Sequence, residues 1–299
     1  MKSRFLIVGT LALWSVSHGQ STISPVERYA YGSNVGWAAL RSDIPSPSQG
    51  VRVGDYFLSG YAYFSNLGWV NFGDGSPASG IRYGNAIASD YGVNNDGEGN
   101  LSGYSYGANV GWINFGWADP TDPKRPRYDL QTGDFSGFAY SANVGWIHLG
   151  TGFLSTVTVA CVDEDGDGVA DAWERENFGT FGILIVTADS DFDHDGVSDR
   201  DEYMANTDPQ DPGSLLRIES FELESDLVNG EVEHTTSPGR LYQLSYSTDL
   251  QTWSLSAPPF GPFPSGVVVS PSTFPSLNHR FLRIRAIKPL QPPSLISEP

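Results

Sequence analysis

The chain has 299 residues, with 35 Asp and Glu against 17 Lys and Arg, a net charge of −18 and one cysteine. So acidic a chain lacks the basic surface that binds nucleic-acid phosphates, and a single cysteine excludes an intrachain disulfide. The length allows several domains.

The first 19 residues have the pattern of a secretory signal peptide. Lys2 and Arg4 precede an apolar stretch at residues 5–16, and Ser17 and Gly19 supply the small residues of a cleavage site. This apolar stretch is shorter than the roughly 20 residues that a membrane-spanning helix needs. We therefore predict an exported protein, secreted or at the cell surface, with no transmembrane segment in the mature chain.

A nine-residue phrase occurs four times within residues 20–158 and predicts a repeated β domain. Its copies begin at Tyr29, Tyr61, Tyr104 and Phe138, and each ends in Asn-x-Gly-Trp. Such a turn between alternating aromatic runs predicts a β-hairpin with a three-residue loop. In the second copy the predicted pairs are Ser65–Trp69, Tyr63–Asn71 and Ala62–Phe72. The phrase resembles a repeat of exported bacterial proteins, and this resemblance implies no activity.

Each predicted hairpin has two different faces. In the second copy one face carries Tyr61, Tyr63, Trp69 and Asn71, and the other carries the core-forming side chains Ala62, Val70 and Phe72. The aromatic face is expected to be a second packed layer between stacked repeats. The alternative is a carbohydrate-binding surface in which the Trp rings stack on sugars. That alternative assigns glycan contacts to Trp37, Trp69, Trp112 and Trp146. A propeller-like ring, a solenoid and a barrel all accommodate four such units.

Two twelve-residue acidic loops carry the strongest functional signal. Both place Asp at positions 1, 3, 5 and 9, Gly at position 6 and Glu at position 12, the spacing of an EF-hand-type calcium loop. Alternate carboxylates on a tightly turning backbone converge on one point, and the carbonyl of position 7 adds a ligand. We predict two Ca²⁺ sites. The ligands are Asp163, Asp165, Asp167, Val169, Asp171 and Glu174 in the first loop, and Asp191, Asp193, Asp195, Val197, Asp199 and Glu202 in the second.

The alternative for these loops is a solvated acidic linker. Two complete loops argue against it, and so does charge, because most of the acidic excess lies in residues 161–212. Packing so many carboxylates together is unfavourable unless cations neutralise them.

The sequence flanking the loops differs from that of an EF-hand. Residues 155–160 and 182–187 are rich in β-branched side chains and predict strands, whereas residues 170–178 and 198–205 predict helices. With the phrase Asp-Gly-Val-Ser-Asp-Arg-Asp-Glu-Tyr at 195–203, the segment 159–212 resembles thrombospondin type 3 and dockerin-like calcium repeats. That resemblance implies calcium binding in a stiffened spacer and no catalysis.

The remaining chain predicts a small β-sandwich at residues 213–287 and a Pro-rich tail at 288–299. Short β-rich runs separated by Pro, Gly and Ser support this prediction. The phrase from Ser237 to Trp253 resembles a C-terminal β-sandwich module of secreted bacterial proteins. The predicted fold class is therefore mainly β, with a hairpin-repeat domain, a short loop–helix calcium segment and a sandwich.

No catalytic motif stands out. The four His beyond the signal peptide form no HExxH pair, and no Gly-x-Ser-x-Gly elbow or P-loop occurs. We predict a secreted, non-catalytic, calcium-binding multidomain protein with a structural or adhesive role and a cell-surface glycan or protein as partner. The alternatives are a carbohydrate-binding adhesin and an unrecognised glycoside hydrolase, which would need only two carboxylates.

Overall fold

The computed structural model describes residues 20–44, 48–150, 152–179, 182–226, 228–273 and 281–291. The predicted signal peptide and residues 292–299 of the predicted tail lie outside these ranges. The described chain is mainly β, as the sequence predicts. None of its helices is long and apolar enough to cross a membrane.

Sixteen strands precede residues 159–212, which we call the acidic segment. They are β1 (Ile23–Gly32), β2 (Gly36–Ala39), β3 (Arg41–Ser42), β4 (Gln49–Gly50), β5 (Arg52–Val53), β6 (Leu58–Ser59), β7 (Tyr61–Phe64), β8 (Gly68–Asn71), β9 (Val93–Asn95), β10 (Leu101–Gly107), β11 (Gly111–Asn114), β12 (Arg127–Tyr128), β13 (Phe135–Ser136), β14 (Phe138–Ser141), β15 (Gly145–His148) and β16 (Leu154–Thr156).

Eight of these strands form a closed antiparallel sheet, which we call the hairpin ring. The order is β1, β2, β7, β8, β10, β11, β14 and β15, and the ring closes where Tyr31 of β1 pairs with His148 of β15. Each copy of the repeated phrase supplies one hairpin, so the chain passes round the ring once. The sheet therefore has one inner and one outer face.

The register of the hairpins differs from the predicted one. In the second hairpin Tyr63 pairs with Trp69 and Phe64 with Gly68. The turn is closed by the Leu67 N–H, which donates to the Phe64 carbonyl over 3.1 Å. Gly68, with φ of 86°, then starts the returning strand. The loop thus begins one residue earlier than expected, and three predicted pairs are wrong: Ser65–Trp69, Tyr63–Asn71 and Ala62–Phe72. The partner of each residue moves by two positions along the opposite strand, so every side chain stays on its predicted face of the sheet.

The Asn of the repeated phrase joins consecutive turns. The Asn109 amide donates to the carbonyl of Leu67 over 3.0 Å, and the Asn143 amide donates to that of Val110 over 2.9 Å. The Asn34 amide closes the circle by donating to the carbonyl of Val144 in the last hairpin over 3.0 Å. The Gly of the third hairpin makes room for this contact, because a Cβ on residue 111 would lie 2.6 Å from the Asn143 Nδ2.

Small and aliphatic side chains fill the inner face of the hairpin ring. They are almost fully buried: Ala30, Ala38, Ala62, Val70, Ile113, Ala139 and Ile147. A closed eight-stranded sheet encloses a narrow interior that side chains of this size can fill. Burial of the inner face therefore supplies the core of this unit.

The aromatic face lies outside, so the expectation of a buried aromatic layer is wrong. The four repeat Trp expose between 44% and 61% of their surface: Trp37 48%, Trp69 61%, Trp112 44% and Trp146 49%. Closure of the sheet explains the difference. The aliphatic side chains already occupy the single inner face, and strand alternation places the aromatic side chains on the other.

The acidic segment contains helices α1 (Asp171–Phe178), α2 (Gly182–Ile185) and α3 (Asp199–Ala205). The two helices predicted after the loops are confirmed, whereas the strand predicted at residues 182–187 is wrong. Packing overrides the local β preference there. Gly182 lies so close to α1 that a Cβ would be 2.4 Å from the Glu174 carbonyl oxygen, and Val186 is buried beside Trp173 and Tyr203.

Two three-stranded sheets follow the acidic segment and share one core. The strands are β17 (Ile218–Leu223), β18 (Asn229–Thr236), β19 (Leu241–Ser247), β20 (Ser254–Leu255), β21 (Gly266–Thr273) and β22 (Phe281–Ile287). One sheet has the order β17, β18, β21 and the other β20, β19, β22. Val232 of the first sheet and Leu244 of the second are buried in the same cluster.

We expect Asn109→Ala to destabilise the protein by about 1 kcal/mol, because it removes the hydrogen bond to the neighbouring turn. Asn66→Ala is the matched control, since this repeat Asn has no such hydrogen bond in the described chain. Urea unfolding followed by Trp fluorescence measures both. Equal losses of unfolding free energy in the two variants would contradict the proposed role of the turn-to-turn bond.

Candidate metal centres

The first three Asp of each acidic loop converge. One oxygen each from Asp163, Asp165 and Asp167 lies within 4.8 Å of the others, and the same holds for Asp191, Asp193 and Asp195. The backbone produces this convergence by turning twice through positive φ. Position 4 has φ of 79° at Gly166 and 63° at His194, and position 6 has φ of 92° at Gly168 and 95° at Gly196.

Hydrogen bonds inside the first loop hold its carboxylates in place. Asp163 accepts from the N–H of Gly166 over 2.7 Å and from that of Gly168 over 3.0 Å. Asp167 Oδ1 accepts from the N–H of Val169 over 2.8 Å, while Asp167 Oδ2 is buried without a hydrogen-bond partner in the described chain. One oxygen therefore braces the backbone and the other is left for a ligand.

The second loop repeats this arrangement. Asp191 Oδ2 accepts from the N–H of Gly196 over 3.1 Å, and Asp195 Oδ1 accepts from that of Val197 over 2.7 Å. Asp191 Oδ1, Asp193 Oδ2 and Asp195 Oδ2 are buried, and the described residues offer them no hydrogen-bond donor. Polar atoms left in this state are costly, and a bound cation would satisfy them.

The glutamates at position 12 are the most buried acids of the two loops. Glu174 and Glu202 have no exposed surface. Neither oxygen of Glu174 has a hydrogen-bond partner among the described residues, and Glu202 has one oxygen in that state. Burial, reinforced by the nearby loop carboxylates, raises the pKa of Glu174 to about 7 and that of Glu202 to about 8. A carboxylate so disfavoured in its charged form fits a cation site.

The position 9 acids serve mainly as braces between loop and helix. Asp199 Oδ1 accepts from the N–H of Phe192 over 3.1 Å and its Oδ2 from the hydroxyl of Ser190 over 2.5 Å. Asp171 Oδ1 accepts from the N–H of Glu164 over 2.9 Å, but its Oδ2 has no hydrogen bond. Asp199 thus resembles a direct ligand less than Asp171, whose Oδ2 has only the Arg175 guanidinium nearby, at 3.8 Å.

The position 7 residues supply backbone rather than side-chain chemistry. Val169 is fully buried in a cluster with Trp173 and Tyr203, and this packing holds the loop against the helices. Val197 donates its N–H to Asp195 and immediately precedes Ser198, whose hydroxyl caps α3 by accepting from the N–H of Asp201. The loops are therefore attached firmly to the helices that follow.

Helix α3 also joins the acidic segment to both β units. The first unit is formed by strands β1–β16, and the second, which we call the sandwich, is formed by strands β17–β22. The Tyr203 hydroxyl donates to Asp55 Oδ2 of the first unit over 2.9 Å, and the Lys288 ammonium contacts both groups. Arg240 of the sandwich donates to the carbonyls of Met204 over 2.7 Å and Tyr203 over 2.8 Å. We call Asp55, Tyr203, Arg240 and Lys288 the junction.

Sequence reasoning missed the junction. Tyr203 lies 148 residues from Asp55 and 85 from Lys288, and Asp55 lies 233 residues from Lys288. No local pattern links side chains so far apart in the chain, and Asp55 beside Gly54 has the character of a turn residue. The only available signal is that Tyr203 directly follows Glu202, the last residue of the second acidic loop.

The four repeat Trp form an exposed set with their neighbouring Tyr. The ring centroids of each pair lie 4.7–5.1 Å apart. We call these eight side chains the aromatic belt: Tyr31, Trp37, Tyr63, Trp69, Tyr106, Trp112, Tyr140 and Trp146. The structure therefore leaves these eight side chains exposed to solvent.

Comparison of the chain with models of protein families, with curated proteins and with solved structures gives no match. The assignment of the two loops therefore depends on the geometry and chemistry of this chain alone.

We expect the calcium-free protein to lose stability as the pH rises from about 5 to about 8. The folded-state pKa values of Glu174 and Glu202, about 7 and about 8, exceed the value of about 4.3 for an unfolded Glu. Between these limits the folded state retains protons that the unfolded state has released, so higher pH favours unfolding.

Thermal midpoints in chelator across this range test the expectation. The double variant Glu174→Gln, Glu202→Gln is the control, because its neutral amides remove this contribution while other titrating groups stay the same. If the difference between variant and wild type does not change with pH, the two glutamates are not the cause.

Proposed function

We propose that this chain is an exported, non-catalytic calcium-binding protein in which two Ca²⁺ ions hold the acidic segment between two β units. One observation carries the proposal. In both loops one oxygen from each of the first three Asp lies within 4.8 Å of the others. Both loops also contain buried carboxylate oxygens without hydrogen-bond partners in the described chain, including oxygens of the fully buried Glu at position 12. A solvated acidic linker would instead leave its carboxylates in water.

The chemistry of the donor set favours calcium. Ca²⁺ takes six to eight oxygen ligands, including carboxylates and backbone carbonyls. Each loop offers three Asp, one Glu and the backbone of position 7, and water completes such shells. No Cys or His belongs to either cluster, which disfavours zinc and other metals that prefer nitrogen or sulfur.

Export fits this proposal. Extracellular calcium-binding modules work with dissociation constants of about 10⁻⁴ to 10⁻³ M, so loops of modest affinity suffice outside the cell. The chain cannot form an intrachain disulfide, since it has one cysteine. Bound calcium is an alternative source of stability, because any ligand that binds only the folded state stabilises it.

The position of the second loop supports a structural role. Glu202, its last residue, immediately precedes Tyr203 of the junction. Calcium at this loop would fix the start of α3, and α3 contacts both β units through Tyr203 and Arg240. The expected consequence of calcium binding is a stiff multidomain scaffold suited to a structural or adhesive task.

Millimolar calcium should raise the thermal midpoint by several degrees. With a dissociation constant near 10⁻⁴ M, each site contributes about 1.4 kcal/mol at 1 mM calcium. Differential scanning fluorimetry in calcium, in chelator and in an equal concentration of magnesium checks this. An unchanged midpoint, together with no heat of binding in titration calorimetry, would refute both sites.

The two sites should be separable by mutation. Asp163→Ala removes a position 1 ligand and should reduce the bound calcium from about two ions per chain to about one, and Asp191→Ala should do the same at the other loop. Glu164→Gln is the matched control, because this exposed neighbour of Asp163 uses its backbone, not its carboxylate, in the loop. Metal analysis after gel filtration gives the stoichiometry. Loss of calcium in the control equal to that in Asp163→Ala would contradict the ligand assignment.

A further inference from the structure

We propose that the aromatic belt binds neutral polysaccharides, an activity that does not depend on the calcium sites. Four copies of one platform surround the hairpin ring. Each platform consists of a Trp and a Tyr that pair directly across a hairpin, as Tyr63 and Trp69 do. The shared register gives all four the same geometry, with interplanar angles of 55–68°.

The belt contributes little to the core of its own unit. Its Trp and Tyr side chains expose between 39% and 61% of their surface, while aliphatic side chains fill the inner face. Clustered exposed aromatic residues are uncommon on soluble proteins and mark sites of interaction. Four repeated pairs on one surface are therefore better explained by a ligand than by folding.

Loop side chains hold most of the platforms in place. Phe153 lies 5.9 Å from Trp37 between ring centroids, Tyr91 lies 4.9 Å from Trp112, and Trp117 lies 4.8 Å from Trp146. A ring that is already fixed loses little conformational entropy when it binds a ligand. Trp69 has its aromatic contact with Tyr63 and is the most exposed of the four.

Polar side chains lie between the platforms. On the strand pairs that join neighbouring hairpins, Asn71 stands opposite Tyr106, Asn114 opposite Tyr140 and His148 opposite Tyr31. Sugar rings present C–H faces that stack on aromatic rings and hydroxyl groups that hydrogen-bond to amides, imidazoles and phenols. At three of the four joints between hairpins an aromatic and a polar group therefore lie side by side, which matches this combination, whereas at the fourth joint Tyr63 stands opposite Ala39.

Charge narrows the class of ligand. None of the belt residues or the three polar side chains between them is Lys, Arg, Asp or Glu, and the chain as a whole has a net charge of −18. Acidic polysaccharides and nucleic acids would meet repulsion without compensating cations. A neutral polymer of repeating sugars also suits four equal platforms, because several weak contacts with one chain increase its retention.

Affinity electrophoresis of the full mature chain in calcium tests the proposal. The gels contain hydroxyethyl cellulose, galactomannan or no polymer, and at least one polymer should retard the protein. Trp69→Ala should weaken the apparent affinity about two- to tenfold, as loss of one aromatic contact predicts, and Trp69→Phe should retain more of it. Trp253→Ala, which removes a Trp from the sandwich, should leave the retardation unchanged.

Three outcomes would overturn the proposal. The first is no retardation by either neutral polymer. The second is equal retardation of wild type and the double variant Trp69→Ala, Trp146→Ala. The third is that the belt binds a second copy of the chain or a lipid surface instead. Light scattering would then show wild-type dimers that Trp69→Ala dissociates, or neutral phospholipid vesicles would bind the wild type while the polymers do not. Absence of calcium binding would refute the preceding proposal but leave this test valid, because the variants lie in the hairpin ring.

Discussion

The hydroxyl of Tyr203 is the contact on which the arrangement of the three parts depends. It donates to Asp55 of the first β unit, and Lys288, which follows the last strand of the sandwich, contacts both groups. Asp55 and Lys288 each expose only 9% of their side chains, and removing one partner from such a buried ion pair costs about 3–5 kcal/mol. Tyr203 directly follows Glu202, so this contact lies immediately after the end of the second acidic loop.

The acidic loops and the hairpin ring satisfy their polar groups in opposite ways. In the ring, each Asn amide that bridges two turns donates to a carbonyl of the neighbouring hairpin. In the loops, hydrogen bonds to backbone N–H groups position the carboxylates but leave inner oxygens unpartnered within the described chain. The second arrangement is the one that the proposed Ca²⁺ ions would complete. The two proposed activities therefore belong to different parts of the molecule and can be tested separately.

Much of the local structure followed from sequence patterns, and each error has a physical cause. The hairpins were expected at the repeated phrase, but their loops begin one residue earlier, because the hydrogen bond that closes the second turn joins Leu67 to Phe64. Residues 182–187 have β-branched side chains, yet Gly182 and Val186 pack against neighbouring helices and four of these residues form a helical turn. The predicted ligands of each loop converge as expected at positions 1, 3 and 5, whereas Asp199 gives both oxygens to donors of the protein.

The sequence by itself determined the features that depend on residues close together in the chain. These are the mainly β character, the separation of aromatic and aliphatic faces, and the spacing of acids in the loops. Only the tertiary structure decided which face of the hairpins is the core, since closure through Tyr31 and His148 leaves one interior and places the Trp outside. It also decided how the three parts meet, because Asp55, Tyr203 and Lys288 are distant in sequence and come together only through packing. Local patterns specify which way neighbouring side chains point, and long-range contacts decide what those side chains meet.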